Sequence, residues 1–198
     1  MNPARHDIRR FFFTYRSYTP IPFLVAMLLF ARPTPASLLT GFALVLLGEG
    51  LRFWGVSIAG SETRTTGRVG GTYLITTGPF AYIRNPLYLG NMLLYAGVGV
   101  MSLALFPWLT AGALAWFYLQ YSMIVSQEEE YLAGTFGAPY DHYRKEVRRF
   151  LPRLTPYVAS SPPPKSPSPA EGWASERRTL QAIGLVTASL VVIFLLRG

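Results

Sequence analysis

Apolar residues are concentrated in five runs, which proline, glycine or charged residues separate from one another. The first run is short, and the other four approach or exceed the roughly 20 residues that a membrane-spanning helix needs. The first run reaches across a bilayer only if the preceding aromatic segment also enters it, or if a tight hairpin joins it to the next helix. The runs are residues 21–31, 36–59, 86–105, 107–126 and 179–196.

Residues 128–152 follow a different pattern. Their aromatic and aliphatic residues recur at intervals of three and four, with arginine and lysine at other positions. This periodicity predicts an amphipathic helix that lies on the membrane with its apolar side down. The sequence therefore predicts an all-α polytopic membrane protein with about five transmembrane helices plus a cytosolic amphipathic C-terminal segment.

Composition shifts divide the chain into three parts. A Pro/Ser-rich stretch that cannot bury a core follows the amphipathic segment and predicts a linker. We expect a membrane domain over residues 1–155, a linker over 156–178 and an additional C-terminal transmembrane helix over 179–198.

The overall composition supports a membrane protein. The 198 residues are 51% hydrophobic and only 14% charged, whereas soluble domains carry roughly 25% charged residues. The sequence has no cysteine, which excludes thiol nucleophiles and thiolate metal sites. The two histidines, His6 and His142, are far apart, so we predict no metal centre.

The net charge of +8 points to an anionic membrane surface rather than to nucleic acid. If the N terminus is cytoplasmic, nearly all basic residues lie inside, and only Arg32 and Arg197 lie outside. The positive-inside rule therefore predicts a cytoplasmic membrane protein whose N terminus and 78–90 segment face the cytosol.

Two helices carry unusual residues. Glu49 and Arg52 lie three residues apart inside the second run, so both point to one face. They form either a self-neutralising pair near the membrane edge or the wall of a cavity for a charged ligand. In the third run, Gly90, Gly97 and Gly99 predict a flat surface for close helix packing or close ligand approach.

The segment 78–90 has the sequence Gly-Pro-Phe-Ala-Tyr-Ile-Arg-Asn-Pro-Leu-Tyr-Leu-Gly. Pro86 suits the first turn of a helix, which puts Arg84 and Asn85 at its N-terminal end. Free N–H groups and the helix dipole make such an end suitable for a carboxylate or phosphate. A well-capped membrane hairpin with a snorkelling arginine explains the same residues.

The third and fourth runs are joined by almost nothing, so they predict an antiparallel hairpin. Arg84 and Asn85 at one end then lie on the same membrane face as the acidic residues 128–130. A cation and N–H donors facing carboxylates and aromatic rings suit a zwitterionic, nucleotide-like ligand. A nicotinamide nucleotide fits this description equally well.

Residues 76–90 resemble the signature of the isoprenylcysteine carboxyl methyltransferase and phospholipid methyltransferase superfamily. Residues 128–152 contain a second block that is similar to the superfamily's C-terminal motif, so the resemblance covers about residues 45–153. Two positions depart from the pattern: Asn85 replaces a more common histidine, and Arg148 replaces a usual proline.

The resemblance implies transfer of the methyl group of S-adenosyl-L-methionine to a lipid or lipidated acceptor from the bilayer, leaving S-adenosyl-L-homocysteine. Arg149, Glu129 and Tyr88 are the implied catalytic residues, with Arg149 closing the pocket or holding an acidic acceptor. A carboxylate acceptor needs no base, whereas an amine must lose a proton. The implied cofactor-binding residues are Tyr82, Arg84, Asn85, Pro86, Tyr88, Gly90, Glu128 and Glu129.

Two other functions stay open on the sequence alone. One is an NADPH-dependent membrane enzyme of the sterol-reductase type, and the other is a non-catalytic membrane scaffold. The acceptor and the oligomeric state are also open.

Overall fold

A computed structural model describes residues 14–60, 73–158 and 166–197. These residues contain helices and turns without a β-strand, which confirms the all-α prediction for this part of the chain. A short 3₁₀ turn, Gly78–Ala81, precedes the third helix. The α-helices are α1 (Pro20–Leu29), α2 (Pro35–Ala59), α3 (Pro86–Ser102), α4 (Trp108–Phe136), α5 (Ala138–Glu146) and α6 (Pro169–Arg197).

Two of these helices, α2 with 25 residues and α6 with 29, are long and apolar enough to cross a membrane. Helix α1 has only 10 residues, so at about 1.5 Å per residue it covers roughly half of a hydrocarbon core. Its shortness agrees with the short first run in the sequence. The structure thus supports a helical membrane protein, with two of the five expected spans recognisable by length and composition.

The amphipathic helix predicted over residues 128–152 is wrong in its extent and its surroundings. Helix α4 continues to Phe136 because no proline interrupts it and helix-favouring residues dominate its last turns. It ends at Gly137, whose φ of +56° favours glycine, and α5 then stops at Glu146.

The apolar side of this region packs against the protein itself. Tyr140, Tyr143 and Val147 are almost completely buried in one hydrophobic cluster. The three- and four-residue periodicity therefore reports a local protein core rather than a face on the membrane surface. The partly buried members of the cluster are Leu74, Leu132, Ala133, Phe136 and Tyr157.

The chain forms two compact units. The first contains residues 1–48, 91–124 and 179–198. In it, α2 and α3 approach closely at a pair of glycines, since a Cβ on Gly97 would lie 2.7 Å from the carbonyl oxygen of Gly41. A Cβ on Gly99 would overlap Thr110. Close packing at these two glycines of the third run is therefore confirmed.

The second unit contains residues 49–90 and 125–178 and carries most of the polar motif residues. In it, α6 begins at Pro169, ten residues before the predicted span, so the end of the predicted linker is helical. Ser168 caps this start, because its Oγ accepts a hydrogen bond from the Glu171 N–H at 3.3 Å. The three-part domain division stays a prediction.

Three regions used to predict the orientation lie outside the described residues. They are the N-terminal basic segment up to residue 13, residues 61–72 of the loop before Gly78, and residues 159–165 with Lys165.

Candidate active site

The 3₁₀ turn before α3 is held against the end of α2 by glycines. Gly78 has a φ of +59°, and a Cβ there would lie 2.7 Å from Cγ1 of Ile58. On α2, a Cβ at Gly55 would lie 2.9 Å from Cδ2 of Leu87. Larger residues at these positions would push the motif segment, residues 78–90, away from α2.

The residues after α5 hold the same segment through backbone hydrogen bonds. The Arg84 N–H donates to the carbonyl oxygen of Arg148 at 3.0 Å, and the Arg153 N–H donates to that of Tyr82 at 2.9 Å. The Asn85 side chain donates to the Arg149 carbonyl oxygen at 3.2 Å. The two blocks that the sequence analysis singled out are thus joined at Arg84 and Asn85.

Glu129 lies between two arginines, forming an ion pair with Arg84 and accepting hydrogen bonds from Arg149. Nη2 of Arg84 is 2.9 Å from Oε1 of Glu129. Arg149 approaches with Nη2 at 2.5 Å from Oε2 and Nε at 3.2 Å from Oε1. Such charge-assisted bonds are short and strong. Two guanidinium groups on one carboxylate leave an excess positive charge, which attracts an anionic group.

Arg84 is the most constrained member of this network. Its Nη1 donates to the carbonyl oxygen of Arg144 at 2.6 Å, and its side chain is only 13% exposed. Its Nε is buried without a hydrogen-bond partner. Buried polar atoms normally have partners, so this N–H is available to an acceptor atom of a ligand.

The neighbouring carboxylate has a different partner. Tyr88, in the first turn of α3, donates from its hydroxyl to Oε1 of Glu128 at 2.7 Å. Consecutive residues of α4 therefore present one carboxylate to two cations and the other to a neutral phenol. The two carboxylates therefore differ in these contacts.

Two tyrosines of α5, Tyr140 and Tyr143, are buried, and Tyr143 is hydrogen-bonded to the 3₁₀ turn before α3. The Tyr143 hydroxyl donates to the carbonyl oxygen of Phe80 in the 3₁₀ turn at 2.6 Å. Burial, reinforced by the negative charge of Glu129, raises the pKa of Tyr140 to about 12. Burial raises the pKa of Tyr143 further still. Both hydroxyls thus stay protonated at neutral pH.

Three of the residues that were expected to bind the cofactor, Tyr82, Pro86 and Gly90, have packing or helix-forming positions instead. The Tyr82 ring lies 6.2 Å from the Trp54 ring of α2, between centroids. Pro86 opens α3, and Gly90 is buried one turn later. The structure does not place a polar side-chain atom of these residues among the charged groups.

Ser126 was not predicted from the sequence, but its Oγ lies 3.4 Å from Nη1 of Arg149. The signal was its position three residues before Glu129, which places both residues on one face of α4. In the part of the chain that the structure describes, no group of three or more His, Asp or Glu residues is arranged to hold a metal ion.

The chain is similar to several known proteins. It is 30% identical over 149 residues to the cobalt-zinc-cadmium resistance protein CzcN of Cupriavidus metallidurans. The matched residues are 71% of this chain and 64% of that protein. It is 32% identical over 90 residues to the nickel-cobalt-cadmium resistance protein NccN of Alcaligenes xylosoxydans xylosoxydans, with coverages of 46% and 41%.

A third relative is the protein-S-isoprenylcysteine O-methyltransferase of Schizosaccharomyces pombe. It is 31% identical over 81 residues, which are 41% of this chain and 34% of that enzyme. The chain thus spans less than two thirds of the length of each of these relatives. No solved structure matches it.

A family model described as phospholipid methyltransferase matches residues 36–139. The matched range is more than half of the chain and contains both the 78–90 segment and the two adjacent glutamates of α4. The chain therefore belongs to the phospholipid methyltransferase family, within the wider superfamily that includes the isoprenylcysteine methyltransferases.

Proposed function

We propose that this protein transfers the methyl group of S-adenosyl-L-methionine to a lipid or lipidated acceptor in the membrane. The observation that carries the proposal is Glu129 held between Arg84 and Arg149. Arg84 comes from the first motif block and Glu129 and Arg149 from the second, and the three residues form one charged cluster. A methyltransferase family supplies the reaction class, and the cluster supplies a place for a zwitterionic donor.

The charged groups fit the amino-acid end of the cofactor. Arg84 has a buried N–H without a partner, which would donate to the cofactor carboxylate. Glu128 would accept a hydrogen bond from the cofactor's ammonium group or ribose hydroxyls. Asn85 and Tyr88 fix the start of α3 beside these groups. S-adenosyl-L-methionine supplies a methyl group already activated by its sulfonium sulfur.

In the transfer, an oxygen or nitrogen nucleophile attacks the methyl carbon, and the carbon–sulfur bond breaks with its electron pair passing to sulfur. The protein therefore has to align the two reactants and exclude water. Glu129 uses both oxygens on arginine donors, so we assign it the task of holding Arg84 and Arg149 in place. Arg149 is 34% exposed, more than Arg84 or Glu129, and would orient an acidic acceptor.

The acceptor determines whether a base is needed. A carboxylate is ionised at neutral pH and reacts without losing a proton. An ammonium group must lose one, and Glu128 is then the acceptor of that proton, with Tyr88 hydrogen-bonded to its other side. The family is named for phospholipids and one relative for isoprenylcysteine, which supports a lipid or lipidated carboxylate or amine as the proposed acceptor.

We further propose that about five helices cross the cytoplasmic membrane, with the N terminus and the charged cluster on the cytosolic side. The support is the distribution of basic residues along the sequence. The cofactor would enter from the cytosol, and the acceptor would enter from the bilayer. A membrane domain over residues 1–155 with a separate C-terminal helix completes this proposal.

Calorimetric titration of the purified protein with S-adenosyl-L-homocysteine tests the donor site, with NADPH as the competing ligand. Saturable binding of S-adenosyl-L-homocysteine without NADPH binding is the expected result. Methyl-label transfer into a total lipid extract then identifies the acceptor class. NADPH binding would support a reductase instead. Binding of neither S-adenosyl-L-homocysteine nor NADPH would support a scaffold.

A further inference from the structure

The first turns of α6 pack tightly against the last turns of α2. The Ser168 N–H donates to the carbonyl oxygen of Ser57 at 2.7 Å, which satisfies a helix-end carbonyl group. Gly172 is buried against the same residue, since a Cβ at Gly172 would overlap Oγ of Ser57 and lie 3.3 Å from Cε2 of Phe53. A larger residue at position 172 therefore separates the two helices.

An ion pair fixes the same contact one turn further along α6. Nη2 of Arg52 donates to both carboxylate oxygens of Glu176, at 2.9 and 2.7 Å. The Glu176 residue is only 1% exposed. Glu49, the partner that the sequence predicted, is 3.7 Å from Nε of Arg52. Arg52 therefore bonds across to α6 as well as along α2, and removing Arg52 would leave the buried Glu176 carboxylate without its guanidinium partner.

The opposite side of α2 supports the candidate active site. Gly55 and Ile58 contact Leu87 and Gly78 of the motif segment, and the ring of Trp54 faces that of Tyr82. With about 3.6 residues per turn, these positions lie across the helix from those that face α6. The end of α2 is thus packed between α6 and the segment 78–90.

We propose that residues 169–178 of α6 act as a strap that positions the donor site through α2, with Gly172 and Glu176 as positioning residues. Neither residue touches the charged cluster in the contacts described above. Their effect on the site is transmitted by the packing of α2 against the motif segment. The identity of the ligand in the tests below rests on the proposed function.

A pair of glycine substitutions tests the strap. Gly172→Val should push α6 from α2, whereas Gly184→Val adds its side chain where no atom lies within 4 Å. We expect the dissociation constant for S-adenosyl-L-homocysteine to rise about tenfold in G172V, equivalent to ~1.4 kcal/mol, and to stay at the wild-type value in G184V. Measurement well below the melting temperature of each variant separates positioning from loss of fold. Equal dissociation constants in the two variants would overturn the strap.

Charge variants provide a second test that does not depend on bulk. Glu176→Arg should weaken binding, and the double variant R52E/E176R should recover most of it because the opposite charges face each other again. In turnover assays, the loss should appear in KM for the methyl donor more than in kcat. A double variant as weak as E176R alone would contradict a role for this ion pair.

Hydrogen exchange keeps the strap testable if the wild-type protein binds no S-adenosyl-L-homocysteine. That result would refute the proposed function but would say nothing about the packing of α6 against α2. Faster amide exchange in peptides covering residues 78–90 of G172V than in those of G184V would then support the strap. Identical exchange in the two variants would refute it.

Discussion

The Tyr88 hydroxyl donates a hydrogen bond of 2.7 Å to Glu128, while the next residue of α4 binds two guanidinium groups. Glu128 and Glu129 are thus adjacent in sequence but differ in what they contact. Glu128 accepts a hydrogen bond from a neutral phenol, whereas Glu129 is paired with the guanidinium groups of Arg84 and Arg149. Identical substitutions at the two positions should therefore have different effects.

We predict that Glu129→Gln weakens binding of S-adenosyl-L-homocysteine by about tenfold or more, since hydrogen bonds to charged groups contribute roughly 1.5–3 kcal/mol each. Glu128→Gln keeps an oxygen that accepts from Tyr88 and loses one acceptor for the cofactor, so it should weaken binding by less than Glu129→Gln does. Its kcat should fall for an amine acceptor and hold for a carboxylate. Calorimetry and label transfer measure these effects, and equal weakening of binding by both variants would contradict the assignment.

Arg84→Lys should also weaken the binding of S-adenosyl-L-homocysteine by about tenfold, although it keeps the positive charge. Lysine has one nitrogen, so it cannot reach Glu129, the Arg144 carbonyl oxygen and a ligand together as a guanidinium does. Arg32→Lys is the matched control, because Arg32 is exposed and lies outside the charged cluster and the strap. If R84K bound S-adenosyl-L-homocysteine with wild-type affinity, the Nε–H of Arg84 would have no part in binding.

The sequence predicted the meeting of the two motif blocks because a short connection forces neighbouring helices into a hairpin. It failed for the end of α4 because a helix continues past its apolar part wherever no breaker stops it. Gly137, with Pro139 two residues later, is where α4 ends, whereas the earlier Gly134 lies within it. The start of α6 carried an unused signal, a capping box with Ser168 at the N-cap and Glu171 three residues later.

The partner of Arg52 could not be predicted in the same way. Glu176 lies 124 residues away in sequence, and local spacing reports only neighbours on the same helix. Glu49, three residues before Arg52, was therefore the natural prediction. Long-range pairs of this kind depend on how α2 and α6 pack, which hydrophobic periodicity does not specify.

The buried tyrosines predict that the protein loses stability in alkali. Their pKa values in the folded chain, about 12 for Tyr140, are raised above the unfolded value of about 10. The stability gained by burying neutral hydroxyls is complete below pH 10 and is lost as the pH rises toward 12. For Tyr140 the loss is roughly 2–3 kcal/mol, at 1.36 kcal/mol per pKa unit.

Melting temperatures between pH 8 and pH 11.5 measure this effect. Tyr140→Phe keeps the ring but removes the ionisable group, so its melting temperature should fall less steeply above pH 10. Tyr18→Phe is the control, because Tyr18 is 65% exposed. Matching pH profiles for Y140F and the wild-type protein would exclude Tyr140 as a source of the alkaline loss.

Gly78 should be the most sensitive glycine of the motif segment. An alanine there has to adopt a φ of +59° and place its Cβ 2.7 Å from Cγ1 of Ile58. The left-handed conformation alone costs a non-glycine residue about 1–2 kcal/mol. We therefore expect Gly78→Ala to lower the melting temperature by about 2–8 °C and to weaken S-adenosyl-L-homocysteine binding, because Arg84 follows the turn.

Gly134→Ala is the matched control for this prediction. Gly134 lies in the last turns of α4, and a Cβ there meets nothing within 4 Å. Alanine at a helical position stabilises by up to about 1 kcal/mol relative to glycine, so G134A should melt at or above the wild-type temperature. If G78A melted as high as G134A and bound S-adenosyl-L-homocysteine equally well, the turn would tolerate a side chain. The contact of Gly78 with α2 would then not be what holds Arg84 beside Glu129.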